Sequence, residues 1–465
     1  MKRILLCVTL MTTSSAFAFS WQVGPGELYT LPSQVSTLVN DGDTVNIAAG
    51  VYPSDVAAWT ANDLVLRGVG GFAHLESNGL SWGGKAIWVI QGDNCTVEWI
   101  EFSECQVPDH NGAGIRLEGL NLTVRHCWFH HNENGILCGA YHPSTVRIEY
   151  TEFGHHGYGD GYSHNLYIGN IDSLIFRFNY SHHADVGHEL KSRAWVNVIE
   201  YNRFSNEADG TASREIDLPN GGQAYLIGNV IQQGPQSQNS NLVGFGMEGL
   251  SNPGPHELYA VNNTLVNEKP NGSFFQMPAA AYFKAYSNIL AGGGSFMSSW
   301  PTTVDTLANL RSTSIAALDF LDPATLDLHL GPGSPADNTG QPAGLANSGY
   351  PLVAWHEYVH PAAGTVRCQQ ATLDAGAFES CITGTGDAAP PATLWIAPNP
   401  ARDHIMLVGE LPGSVRVRVA DVTGRVVGPF DPGTARIDVS MLAPGPCVLL
   451  VDEGGTPRRA VFVKM

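Results

Sequence analysis

Eight short stretches decide the fold: VEWIEF (97–102), VRHCWF (124–129), IEYTEF (148–153), FRFNYS (176–181), IEYNRF (199–204), LIGNVI (226–231), AVNNTL (260–265) and KAYSNI (284–289). Their last residues lie 27, 24, 28, 23, 27, 34 and 24 positions apart. Each reads as a short strand, and recurrence at such a period is the mark of a repeat architecture. A unit this small cannot bury its apolar face alone, so successive units must stack. Four of them carry an Asn at one place: Asn179, Asn202, Asn229 and Asn263. An inward-turning Asn at a corner can bond the same side chain and backbone of the next unit, which predicts a column. Leucine-rich and WD patterns are absent. The reading is an all-β solenoid.

Composition agrees. The chain has 465 residues, 52 Gly and 28 Pro, with 43% hydrophobic residues, which suits a turn-rich, well-packed protein and neither a disordered nor a collagen-like one. The net charge is −19, from 24 Lys+Arg against 43 Asp+Glu. Phosphate-backbone binding draws on clustered Lys and Arg, so nucleic acid is excluded as a partner. Residues 390–465 hold eight basic and seven acidic side chains, so the acidity belongs to the repeats.

The repeats resemble the right-handed parallel β-helix of the pectate-lyase-like superfamily. GDTVNIAAGVYPSDV (42–56), preceded by a capping helix near Pro32–Asn40, is similar to the start of many such proteins. GPGSPADNTG (331–340) and LDAGAFE (373–379) are similar to their ends. The resemblance implies a right-handed parallel β-helix over 19–380 and is weak for reaction, because the scaffold hosts several chemistries.

Residues 1–18 read as a secretory signal peptide: Lys2 and Arg3, an apolar stretch Ile4–Met11, and Ala16-Phe17-Ala18 before cleavage. No later run is long and apolar enough to span a bilayer. In an oxidising compartment, Cys368–Cys381 and some pairing among Cys95, Cys105, Cys127 and Cys138 are expected, with Cys447 a buried thiol. No CxxC occurs, so a structural zinc site is not expected. CITGTGDAAPP (381–391) is a linker by composition. Beyond it, over 392–465, alternating apolar residues between turns predict a small antiparallel β-sandwich. Pro398-Asn399-Pro400, DVTGR (421–425), Leu442-Ala443-Pro444-Gly445 and the terminal Lys464 resemble a type IX secretion C-terminal sorting domain, although Cys447 stands where that pattern usually has an aromatic. That resemblance implies export through the periplasm of a Gram-negative-type envelope to a secreted or cell-surface location, with the secretion machinery as partner.

Fifteen to nineteen residues before each repeat ending begins a second strand: GIRLE (114–118), GILCG (135–139), NLYIG (165–169), ELKSR (189–193), EIDLP (215–219) and GMEGL (246–250). Its second residue, from Ile115 to Met247, is expected inward, so its first and third should face out. One exposed face would then gather Asn165, Glu189, Glu215, Tyr167, Lys191, Asp217 and Glu248, with Arg193 at the strand end. Glutamates so close repel unless neutralised. Two explanations stay open: a hard cation on Asn165, Glu189 and Glu215, for which oxygen ligands favour Ca2+, or neutralisation by Lys191 and Arg193.

Lys191 between Tyr167 and Asp217 suggests acid–base work, such as removal of the C5 proton of a uronic-acid sugar in β-elimination. Neighbouring carboxylates would keep a lysine protonated, so a base there needs an offsetting cation. Glu189-Leu190-Lys191-Ser192-Arg193 also resembles the calcium-and-lysine site of β-helix lyases of the alginate lyase and chondroitinase B family. The resemblance implies Lys191 as base, Arg193 or Arg214 as its partner, and Asn165, Glu189 and Glu215 as calcium ligands. The glutamate–lysine spacing is shorter here than in that family.

His130-His131, His155-His156 and His182-His183 follow three successive repeat endings and should stack along one turn, either as a transition-metal or proton-donor site or as a polar corner ladder. His164 and His188 precede the site strand at equivalent positions, making His188 a catalytic candidate and His164, Arg214, Asp217 and Glu248 substrate-binding candidates. Tyr158, Tyr162 and Trp195 could stack on sugar rings or serve as turn packing. PNGGQ (219–223) and GFGMEG (244–249) read as turns, and neither a G-x-S-x-G elbow nor an HExxH motif occurs. The expected function is polysaccharide lyase action on an acidic glycan. The alternatives are a glycoside hydrolase using two of Glu189, Glu215, Asp217 and Glu248, or a non-catalytic glycan-binding scaffold.

Overall fold

The structure, a computed structural model, divides into two compact units, Met1–Cys381 and Ile382–Met465. It describes residues 18–368 and 372–380 of the first, and 395–397, 404–408, 416–420, 426–430, 437–442, 445–452 and 458–464 of the second. Residues 1–17 of the signal-peptide reading, the 381–391 linker, Pro398–Pro400, 421–425 and Ala443-Pro444 lie outside the described residues.

The first unit is a parallel β-solenoid. Its ten-stranded sheet stacks Ala57–Trp59, Ala86–Ile90, Ala113–Leu117, Asn134–Cys138, Leu166–Ile168, Leu190–Ser192, Ile216–Leu218, Asn241–Phe245, Ser273–Gln276 and Ser295–Met297 in chain order. A second, 21-stranded sheet takes the remaining strands of each coil. The repeat endings sit in the second sheet, and the last residues of the first seven form one inward column: Phe102, Phe129, Phe153, Ser181, Phe204, Ile231 and Leu265 pair in register, while in the eighth Leu290 rather than Ile289 continues it. The rings of Phe102, Phe129 and Phe153 stack at 4.7 and 4.9 Å. Burying each such ring contributes about 1.5–3 kcal/mol. Ile115, Ile136, Leu166, Leu190 and Ile216 close the core from the ten-stranded sheet, all fully buried.

The expected Asn column forms. The N–H of Asn179 donates to Asn202 Oδ1 at 2.9 Å, that of Asn202 to Asn229 at 3.0 Å and that of Asn229 to Asn263 at 2.9 Å. It runs on to Asn288 and Asn309. Each Nδ2 also returns a bond to a main-chain carbonyl, as from Asn202 to Phe176 at 2.9 Å. The residue before each Asn turns the corner with a left-handed backbone, for example Phe178 (φ 57), Tyr201 (φ 58) and Asn262 (φ 51). A second left-handed corner follows at Glu104, His131, His155 and His183.

Three expectations change. The capping helix shrinks to one 3-10 turn, Pro32–Gln34, with Val35 buried behind it. Cys95, Cys105, Cys127 and Cys138 do not pair: they are free buried thiols that fill core space as small apolar groups. Burial holds Cys105 and Cys127 protonated, their thiols pushed up to about 12. Cys368 is disulfide-bonded, and Cys381 lies outside the described residues. In the second unit, two antiparallel sheets of three and four strands are described, with Val417, Val419, Cys447 and Leu449 buried. No helix among the described residues is long and apolar enough to cross a membrane.

Candidate functional site

The outward column of the ten-stranded sheet forms as strand alternation requires. Arg116, Leu137, Tyr167, Lys191 and Asp217 pair in register across consecutive coils. Beyond Asp217 the column continues to Gly244 and Gln276 rather than Glu248. The strand in that coil is Asn241–Phe245, not GMEGL, so Val243 takes the inward place and Met247 is exposed. The extra residues of the 34-residue spacing follow the strand and displace the count. Glu248 still reaches the site, because the turn after Phe245 folds back over it.

That return builds a compact ionic network. Lys191 Nζ lies 2.8 Å from Glu248 Oε1 and 3.4 Å from Asp217 Oδ2. Arg193 donates to Glu248 Oε2 at 2.6 Å, to the Tyr167 hydroxyl at 2.9 Å and to Asn220 Oδ1 at 2.6 Å. Arg214 donates to Asp217 Oδ1 and to Gln276 Oε1, both at 2.6 Å. Gly244 makes room for it, since a Cβ there would lie 2.6 Å from Arg214 Nη1. Burial opposes charge on Glu248, but the bonds from Lys191 and Arg193 outweigh it and bring the carboxyl down to about 2. Asn220 and Gln276 were not anticipated. Asn220 sat in a stretch read only as a turn, and Gln276 enters through the register that the displaced strand concealed.

His164 and His188 stack at 5.0 Å beside this network. The main-chain N–H of His188 donates to His164 Nδ1 at 3.1 Å, and that of Arg214 to His188 Nδ1 at 3.2 Å. Each ring therefore carries its proton on Nε2, and His188 directs that nitrogen toward Asp217 Oδ2, 3.6 Å away. Burial, reinforced by Lys191 and Arg214, brings His188 down to about 3. Burial likewise holds His164 well below the ordinary histidine range. Both are neutral rings at neutral pH, and His188 faces the site as a hydrogen-bond donor.

Asn165, Glu189 and Glu215 do not face outward. All three are fully buried. Their strands begin one residue later, at Leu166, Leu190 and Ile216, so alternation does not extend back to them. They sit at the corner and turn into the interior. Glu189 occupies space left where Ser181 interrupts the Phe column: Oε2 contacts Ser181 Oγ at 3.0 Å and Asn165 Nδ2, and Oε1 accepts from the Ala184 N–H at 3.1 Å. Burial pushes Glu189 up to about 8, and Glu215 well above the usual carboxyl range. Glu215 Oε1 accepts from Asn206 Nδ2 at 2.9 Å. Calcium takes six to eight oxygens. Here both Glu189 oxygens are engaged internally, and only Asn165 Oδ1 and Glu215 Oε2 lack partners among the described residues. This trio does not fit a calcium ion held on the outer face.

The histidine pairs are offset by one residue. His130, Gly154 and His182 share one register, and the left-handed corner stacks His131, His155 and His183 at 5.1 and 4.7 Å. His156 points inward and is fully buried. Tyr158 stacks on His110 and Trp195 on His142, at 3.4 and 4.1 Å, while Tyr162 is exposed.

No family model matches the chain, and no curated protein matches it. Among solved structures it is similar to pectate lyase Pel9A, with a TM-score of 0.54 and 13% identity over 78% of this chain and 97% of that one. A mutant of the PL6 family alginate lyase AlyGC aligns with a TM-score of 0.34 and 15% identity, over 70% of this chain and 58% of that one. The first likeness shows the fold: the solenoid is a pectate-lyase-like parallel β-helix.

Proposed function

We propose that this is an exported polysaccharide lyase that binds a uronic-acid glycan across the outer face of the ten-stranded sheet and cleaves it by β-elimination. One observation carries the reading. Lys191 stands in register between Tyr167 and Asp217, with the guanidinium groups of Arg193 and Arg214 on either side.

In elimination, a base takes the C5 proton, the C–H electrons form the C4–C5 double bond, and the C4 oxygen leaves with a proton. The C5 proton becomes acidic enough only when the neighbouring carboxylate is neutralised, which Arg193 and Arg214 supply. Glu248 lies on an exposed turn, so an incoming sugar carboxylate can displace it from Lys191 and Arg193. With Arg193 taking the charge of the sugar carboxylate, Lys191 faces the sugar ring and acts as base on the C5 proton. The Tyr167 hydroxyl, polarised by Arg193, delivers the proton to the leaving oxygen. His188 and His164 hold the floor of the site through the main-chain bonds described above. Any calcium contribution would have to come through Asp217 and Glu248. A hydrolase needs a protonated carboxyl, and Glu248, held near 2, is a poor one.

The test is near-ultraviolet absorbance against a panel of uronic-acid polysaccharides, with calcium and with chelator. A chromophore that rises with wild type and is lost in Lys191→Ala supports elimination, and chelator sensitivity tests the cation. New reducing ends without a chromophore would replace this reading with hydrolysis. Binding without either product would leave a glycan-binding scaffold. Mass spectrometry of the exported protein's two ends tests the signal and the sorting tail.

A further inference from the structure

On a different arc of the coil from the ionic network, five side chains converge across three coils. His182 and His183 bring their Nδ1 atoms within 2.7 Å of each other. The far nitrogen of each ring faces a carboxylate: His182 Nε2 lies 3.3 Å from Glu152 Oε1, and His183 Nε2 lies 3.2 Å from Asp209 Oδ1. With both Nε2–H groups donated to carboxylates, two Nδ1 lone pairs point at one another. Only a proton or a metal ion between them relieves that repulsion. His155 closes the third side, its ring 5.3 Å from His182 and 4.7 Å from His183. The nearest nitrogens of these three rings all lie within 4.8 Å of one another.

The surroundings favour a metal over a proton. Carboxylates behind ligating imidazoles fix tautomer and orientation, the usual outer shell of a histidine metal centre. Gly154 makes the cradle, because a Cβ there would lie 2.3 Å from His182 Cε1. His155 is exposed and, with His131, lines an open groove with His110 and Tyr158, which gives an ion a way in.

We propose that His155, His182 and His183 form a binding site for one borderline divalent transition-metal ion such as Zn2+, stapling two consecutive coils. Imidazole ligands select this class over calcium or magnesium. Ligand distances of about 2.0–2.1 Å ask the two Nδ1 atoms to separate by about 0.6 Å, a small ring rotation. The fourth position is left open to water or to His131. The site is independent of the glycan reading, since it shares no residue with the ionic network.

Equilibrium dialysis of the full chain against Zn2+, with Co2+ absorption as a second probe, tests it. One ion per chain is expected, with the visible band of a nitrogen-ligated, low-symmetry Co2+. His183→Ala and His155→Ala should each lose the ion, and Asp209→Asn should weaken it about 10–100-fold. His74→Ala, in the separate His74–Glu101–His130 group, should leave it bound. Zn2+ should raise the melting temperature of wild type but not of His183→Ala. His155→Gln, with circular dichroism matching wild type, separates ligand loss from misfolding. No ion retained by wild type, or retention unchanged in His183→Ala or dependent on His74 instead, overturns the assignment.

Discussion

Arg193 Nε donates to the Tyr167 hydroxyl at 2.9 Å across adjacent coils, while another arm of the same guanidinium holds Glu248 at 2.6 Å. The phenol is thereby tied to the cation that a substrate carboxylate would claim. Tyr167→Phe keeps the ring and removes only the oxygen. We expect its elimination rate to fall about 10²–10⁴-fold, the range for losing a positioned proton donor, with the melting temperature little changed. A split between kcat and KM decides the role, since a merely binding phenol would move KM alone.

Glu248→Gln should ease substrate docking. The carboxyl is held near 2 in the folded chain, below its ordinary value. Its contribution to stability is therefore present above the ordinary carboxyl range and lost as pH falls toward 2. The side chain is 46% exposed, so solvent screening keeps that contribution under about 1 kcal/mol. Its effect on binding is larger in consequence: the neutral amide competes less for Arg193, so an incoming sugar carboxylate should dock with a lower KM. An unchanged KM would remove Glu248 from the path of the substrate carboxylate.

Glu189 sets an opposite pH dependence. Burial raises it to about 8, above its unfolded value, so the folded chain binds the extra proton. The stability this gives is fully present below the unfolded pKa near 4.5 and declines as pH rises through about 8. Calorimetric melting temperatures from pH 5 to 9 should fall over that window. Glu189→Gln should destabilise throughout by about 1–3 kcal/mol, because its amide would place an N–H against either the Ala184 N–H or Asn165 Nδ2.

Asn229→Ala tests the column. It leaves the buried N–H of Asn202 and the carbonyl of Ile199 without their partner. Chemical denaturation should show a loss of about 2–4 kcal/mol, since each unmade buried bond costs about 1–3.

The solenoid was readable because its repeat endings keep strand alternation and a corner Asn through unequal spacings. For the same reason Tyr167, Lys191 and Asp217 were placed correctly, since each sits inside a strand. Asn165, Glu189 and Glu215 were misplaced by a single residue, at corners where alternation has not yet begun. The signal was present in another repeat: Ser181 stands where its neighbours have Phe, marking a polar pocket in the core. Glu248 reached the site by a turn, which counting strands could not foresee. The His182–Glu152 and His183–Asp209 contacts join residues of different coils and depend on a left-handed corner that composition does not reveal.

In four consecutive coils the two left-handed corners keep a constant interval. Trp99 and Glu104, His126 and His131, Tyr150 and His155, and Phe178 and His183 are each five residues apart. The rest of the coil is unequal: His131 to Tyr150, His155 to Phe178 and His183 to Tyr201 span 19, 23 and 18 residues. In these coils the tolerance for insertion thus falls on the arc that carries the ionic network, while the segment between the corners works as a fixed-pitch rack. New loops can reshape what the protein grips without changing the spacing at which it is assembled.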